Sequence, residues 1–253
     1  MPRGTYKHLQ EKALEIAKTL SRPLFYDVHA AAVRRADTML GSHELVGKCR
    51  TFLEAAHLEC AHGVCHCESV ARDAGALVLI EASGRGIMPE EQERLFPAAL
   101  IAGLLHDIKR TEKDHAVLGG IEAEKILSTL GMEEKYRRYI SEAIKNHEAF
   151  KKIHDSDSAS GRLVSDALYD ADKFRWGPEN FTITVWLIVE DRHTPLETLH
   201  RTFHESMKGI EKIKATFRTA AGRQFGPEFI DQGITIGNAI YDEMTVLLNG
   251  NAR

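Results

Sequence analysis

The chain has 253 residues, 43% of them hydrophobic and 28% charged, with a formal net charge of −4. That length suits one large domain or a domain with appendages, and the charge balance excludes an electrostatic case for broad nucleic-acid or membrane-surface binding. No apolar stretch reaches the roughly 18–20 residues that cross a bilayer, and Met1-Pro-Arg-Gly-Thr-Tyr-Lys-His8 carries no apolar signal core, so the expected location is cytoplasmic.

The expected fold is all-α. Residues 5–20 place Tyr6, Leu9, Ala13, Ile16, Ala17 and Leu20 at three- and four-residue steps, an amphipathic helix that Ser21-Arg-Pro23 stops. Helices are expected at 28–40 and 43–58, divided by Gly41-Ser42 with Ser42 as N-cap. Gly63 precedes a helix of about twenty residues in which His66, Val70, Ala74 and Leu77 share one stripe. Ser83-Gly-Arg-Gly86 ends it. Pro89-Glu-Glu91 opens the next helix, with proline near N1 and acids in the first turn.

That helix carries the ten-residue apolar run Phe96–Leu105 and stops at His106-Asp107. Two polar side chains closing a core helix call for a partner. A divalent metal is the natural one, because it takes imidazole and carboxylate ligands together. Further helices are expected at 114–130, 133–149, 160–174, 196–219 and 227–248, with Gly131 as a C-cap. Residues 181–189 are β-branched and aromatic, which favours a strand. Pro178-Glu179 upstream favours a helix start and no partner strand is evident, so they are read as helix. The division expected is an N-terminal helical segment over 1–56, a metal-binding core over 57–180 and a C-terminal helical extension over 181–253. The apolar face of the last helix, with Phe229, Ile236, Ile240 and Met244, could pack on the core or on a second copy of the chain.

Four pieces carry chemistry in order. They are His62-Gly-Val-Cys-His66-Cys-Glu-Ser-Val70; His106-Asp107; His115-Ala-Val-Leu-Gly119 followed by Asn146-His147-Glu148; and Tyr169-Asp170-Ala-Asp172-Lys173. This ordered set resembles the HD-domain superfamily of metal-dependent phosphohydrolases, over roughly residues 57–180. The resemblance implies a helical core in which His66, His106, Asp107 and Asp172 ligate one metal. Asp172 fits better than Asp170 because the family's segment reads Ala-Asp-Lys/Arg. The separations of 40 residues from His66 to His106 and 65 from Asp107 to Asp172 suit the family's helix order. It also implies that His115 and His147 could hold a second ion, with Asp107 bridging. Here Asn146 stands where the His-His form has its first histidine, and only eight residues separate Asp107 from His115. No Gly-Tyr-Pro triplet follows His147, which argues against a cyclic-di-GMP enzyme of the HD-GYP branch.

The implied activity is hydrolysis of a nucleotide or other small phosphorylated metabolite by a metal-activated water. Mn, Fe, Zn, Co or Ni suits the mixed donors, one ion or two per chain. Lys109, Arg110 and Lys173 are the nearest cations for the phosphate. The His-Asp-x-Gly-Lys form common in the family is His-Asp-Ile-Lys-Arg here, which puts Arg110 at the lysine position. Asp107, Arg110 and His62 are the candidate catalytic groups, with His62 one turn before His66 for proton transfer; Glu112 and Asp114 could orient the water. Two alternatives stay open: an HD-like binuclear iron oxygenase, and a non-catalytic metal- or nucleotide-binding sensor.

Two other groups read as structural. Among Cys49, Cys60, Cys65 and Cys67 no Cys-x-x-Cys pair exists. Consecutive helical residues 65–67 point about 100° apart and cannot meet one ion, so these are read as free thiols. His200 and His204 have metal-binding i, i+4 spacing, but Arg201-Thr-Phe203 lies between them instead of a Glu-x-x step.

Overall fold

Glycine and proline punctuate this chain where the helices begin and end. A computed structural model describes residues 3–56, 63–153, 156 and 158–250. Twelve α-helices run through these residues, without a strand among them. They are α1 (Arg3–Ala17), α2 (Phe25–Val28), α3 (Ala30–Ser42), α4 (Glu44–Ala55), α5 (Val64–Glu81), α6 (Pro89–Leu105), α7 (His115–Thr129), α8 (Glu134–Lys145), α9 (Ala159–Phe174), α10 (Val185–Asp191), α11 (Leu196–Ile213) and α12 (Ala220–Gly250). A π-helical turn, Asn180–Thr184, leads into α10, so the ambiguous 181–189 segment is helical. Gly86 and Gly131 take the left-handed conformation with which helices end at glycine.

Several boundaries depart from the sequence reading. Ser42 does not cap α4. Its hydroxyl donates back to the Thr38 carbonyl inside the last turn of α3, and His43 Nδ1 accepts from Val46 N–H instead. Helix α8 ends at Lys145, so Asn146 and His147 lie in the turn beyond it, and α11 stops at Ile213 rather than 219. The last helix is expected at 227–248, yet α12 starts at Ala220. Its N-cap hydroxyl, Thr219 Oγ1, accepts from Gly222 N–H at 2.7 Å, and Pro227 sits inside the helix.

The start of α12 is held by acids from other helices. Asp170 on α9 accepts from Arg218 N–H, Thr219 N–H and the Thr219 hydroxyl, and Glu81 at the end of α5 accepts from Ala221 N–H. Carboxylates at a helix N-terminus meet free N–H groups and a favourable dipole. Burial nonetheless pushes the Asp170 carboxyl up to about 6, against the pull of those donors. The fit needs glycine at 222, because a Cβ there would stand 2.0 Å from Asp170 Oδ2. Asp170 is thereby a cap, which frees Asp172 for the site.

Helix α5 is central: α3, α6 and α9 pack on it, α7 packs on α8, and α8 on α9. Gly103 lets α6 cross α5 closely, since a Cβ there would lie 2.3 Å from Ala71 Cα. Helices α1 and α11 flank α12, and one apolar cluster runs from Leu9 through Leu100 to Met244. Stacked Phe174 and Phe229, with ring centres 4.3 Å apart, and Phe25 across from both, tie α2, α9 and α12 together. The N- and C-terminal segments therefore share the core of the middle one. No helix among the described residues is long and apolar enough to cross a membrane.

Candidate metal centre

His66 comes from the first turn of α5, His106-Asp107 from the end of α6, His115 from the first residue of α7, His147 from the turn after α8 and Asp172 from the last turn of α9. The bundle brings all six to one end. His106 is fully buried and Asp107, His147 and Asp172 nearly so.

Their donor atoms form two overlapping triads, His66–His106–Asp107 and Asp107–His115–His147. In the first, His106 Nε2 is 3.5 Å from Asp107 Oδ2, and Asp172 Oδ1 lies 3.7 Å from His66 Nε2 and 3.8 Å from His106 Nε2. In the second, Asp107 Oδ1 is 3.6 Å from both His115 Nε2 and His147 Nε2. Asp107 thus turns one oxygen to each triad. Two ligand atoms each about 2.1 Å from one ion at a tetrahedral angle stand roughly 3.4 Å apart. The observed 3.5–3.8 Å separations are too long for hydrogen bonds and close to that spacing.

The rings are aimed by the backbone. His106 Nδ1 lies 2.8 Å from the Gly103 carbonyl and His147 Nδ1 2.6 Å from the Ile144 carbonyl. A carbonyl only accepts, so each Nδ1 carries the proton and each Nε2 lone pair faces the cluster. His106 Nε2 is buried without a hydrogen-bond partner. Burial lowers the His106 pKa against the pull of Asp107 and Asp172; burial, then His147, lowers that of His115. Both rings are held neutral, the form a metal requires. Burial would raise the Asp172 carboxyl, but Lys173, followed by His106, His147 and His66, holds it below the ordinary range. Converging imidazole nitrogens around buried carboxylates, with ligand atoms this close together, fit a divalent ion.

A cavity of about 290 Å³ opens beside the cluster. Arg110 and Lys173, both expected at the site, line it. Lys173 Nζ is 2.5 Å from Asp172 Oδ2 and stands over the rings of Tyr169 and Trp176. Lys109 does not line it; its ammonium pairs with Glu112 at 3.3 Å. Glu112 and Asp114 are exposed and away from the cavity, and Asp114 takes a left-handed backbone ahead of α7. His62 and Cys60 lie outside the described residues. Cys49 and Cys67 are buried thiols whose pKa burial raises, and Cys65 is an exposed one. His200 stacks on Tyr241 at 4.5 Å and bonds Thr245. Asn146 bonds Ser165 and joins neither triad.

The far wall was not foreseen from the sequence. Phe150, Arg175, Trp176, Asn180 and Thr184 complete it. Phe150 has a positive φ of 62°, a strained setting for an aromatic residue. The π-turn that presents Asn180 and Thr184 is of a kind common at functional sites. No family model, no curated protein and no solved structure matches the chain.

Proposed function

We propose that this chain is a metal-dependent phosphohydrolase of the HD-domain type, acting on a nucleotide or another small phosphorylated metabolite. The observation that carries the reading is Asp107, shared by two histidine triads at the edge of a cavity lined by Arg110 and Lys173. His66, His106, Asp107 and Asp172 would hold the first ion, and Asp107, His115 and His147 the second. An ion there supplies an activated water at neutral pH and offsets charge on phosphate oxygens. Arg110 offers a planar fork to those oxygens and Lys173 a point charge. Lys173 also fixes the rotamer of Asp172, while the carbonyls of Gly103 and Ile144 fix two of the rings. Trp176 and Phe150 add apolar surface to the cavity wall.

The test is metal quantification on purified protein, then stripping and reloading with Mn²⁺, Fe²⁺, Zn²⁺, Co²⁺ or Ni²⁺ singly before a broad panel of phosphate esters and anhydrides. Turnover restored by one of these ions and lost in His106→Ala supports the reading. Metal-replete protein inert across the panel overturns it. The two triads also favour a second reading, a binuclear iron oxygenase. Two irons per chain with a mixed-valence signal and oxygen consumption would select it.

A further inference from the structure

Arg110 stands where a second cation would stand. Its Nη1 is 2.9 Å from His115 Nε2 and 3.9 Å from Asp107 Oδ1. Those atoms, with His147 Nε2, are the donors of the second triad. A guanidinium has no acceptor, so His115 Nε2 accepts from Arg110. The lone pair that would bind an ion is occupied, and Asp107 already has a positive charge facing its outer oxygen. At the first triad, Lys173 holds Asp172 Oδ2 while Oδ1 faces the histidines.

We infer that Arg110 is a built-in competitor for the second metal ion: it occupies the second triad in the one-metal protein and moves into the adjoining cavity when another ion arrives. The inference rests on reading both triads as metal sites, as proposed above, but needs no hydrolysis. Arg110 is free to make the move. It sits in the turns between α6 and α7, is about one-third exposed at 36%, and already lines the cavity. A dication and a guanidinium repel at these distances in a site shielded from water, so the two cannot share the donors. In the cavity, Arg110 joins Lys173 as a cation for a tetrahedral anion. The second metal and the anion are then coupled. Each draws Arg110 in the same direction, so each must tighten the other by one and the same factor.

The experiment is calorimetric titration of metal-free protein with Mn²⁺, with and without sulfate as the anion, in the wild type and in Arg110→Gln. A hydrogen bond from a charged donor is worth roughly tenfold to a hundredfold in an equilibrium constant. Arg110→Gln should therefore tighten the second Mn²⁺ step by about that factor and leave the first unchanged. Sulfate should tighten the second step in the wild type and not in Arg110→Gln. Adding His147→Ala to Arg110→Gln should erase the tightened step, which fixes it to this triad. A second step equally weak or absent in Arg110→Gln overturns the inference, as does sulfate acting equally on both proteins. Circular dichroism verifies that the variants keep their helices. Because turnover is never measured, a failure here is distinct from a failure of the phosphohydrolase reading.

Discussion

Two buried ionic clusters lie within this bundle, and they are built on opposite plans. In one, Asp73 accepts from Tyr26 at 2.8 Å, from Arg175 at 2.5 Å and from Arg72 at 2.9 Å, and Arg175 also reaches Glu179 at 2.8 Å. Donors face acceptors and two acids offset two arginines. Burial and then Asp73 push the Tyr26 hydroxyl up to about 12, and Arg175 is held charged. In the other, around Asp107, acceptors face acceptors at 3.5–3.8 Å. In the first, both oxygens of Asp73 meet donors. The second gathers more acceptors than the flanking Arg110 and Lys173 can serve, an arrangement that a further cation would complete. The two abut, since Arg175 also lines the cavity.

The contrast can be broken by mutation. Asp73→Asn should cost the most, about 3–5 kcal/mol, because it strips a buried pair of one member; urea unfolding measures it, and the metal count should not change. Asp107→Asn should do the reverse. It should weaken metal binding by more than the roughly hundredfold that loss of an outer-shell partner costs, yet leave the metal-free protein as stable as the wild type or more so. Equal destabilisation by both substitutions would show that the clusters are alike and sink the comparison. Metal at a hundred times its dissociation constant should add about 2.7 kcal/mol to stability, in the wild type and Asp73→Asn but not in Asp107→Asn. Asp170→Asn, which keeps one acceptor for the α12 cap, should cost about 1 kcal/mol and leave metal binding intact.

The smallest effect sharpens the picture through pH. The pKa values of His106 and His115 are lowered in the folded chain, by burial above all. Below the ordinary imidazole value of about 6.5, the unfolded chain takes up protons that the folded one refuses. Stability of the metal-free protein should therefore be flat above that pH and fall below it. A thermal-melt series that instead shows stability rising as pH drops through this range would contradict the neutral, lone-pair-inward histidines.

The candidate ligands were legible in the sequence through local landmarks and through the ordered motif set. His66 falls on an apolar stripe and His106-Asp107 closes an apolar run, while His115 and His147 stood out through their resemblance to HD-domain motifs. Asp172 against Asp170 was harder. Two residues apart on a helix are about 200° apart in direction, so one faces the site when the other faces away. The resemblance favoured Asp172, and the position of α12 agrees, since Asp170 is the one that α12 claims. The far wall of the cavity left no signal of that kind. Arg175, Trp176, Asn180 and Thr184 carry no motif or spacing that marks them as lining a site. The same holds for the start of α12, whose cap draws on acids from α5 and α9.

Helices α5 and α9 bring His66 and Asp172 together across 106 residues of chain. Contacts that distant form late, after loop-closure entropy has been met. An ion that needs both residues has little to hold in a half-folded chain. Its effect should then appear in the escape rate from the native state and hardly at all in the rate of arrival. A loaded protein would refold no faster than an empty one, but would persist far longer once folded.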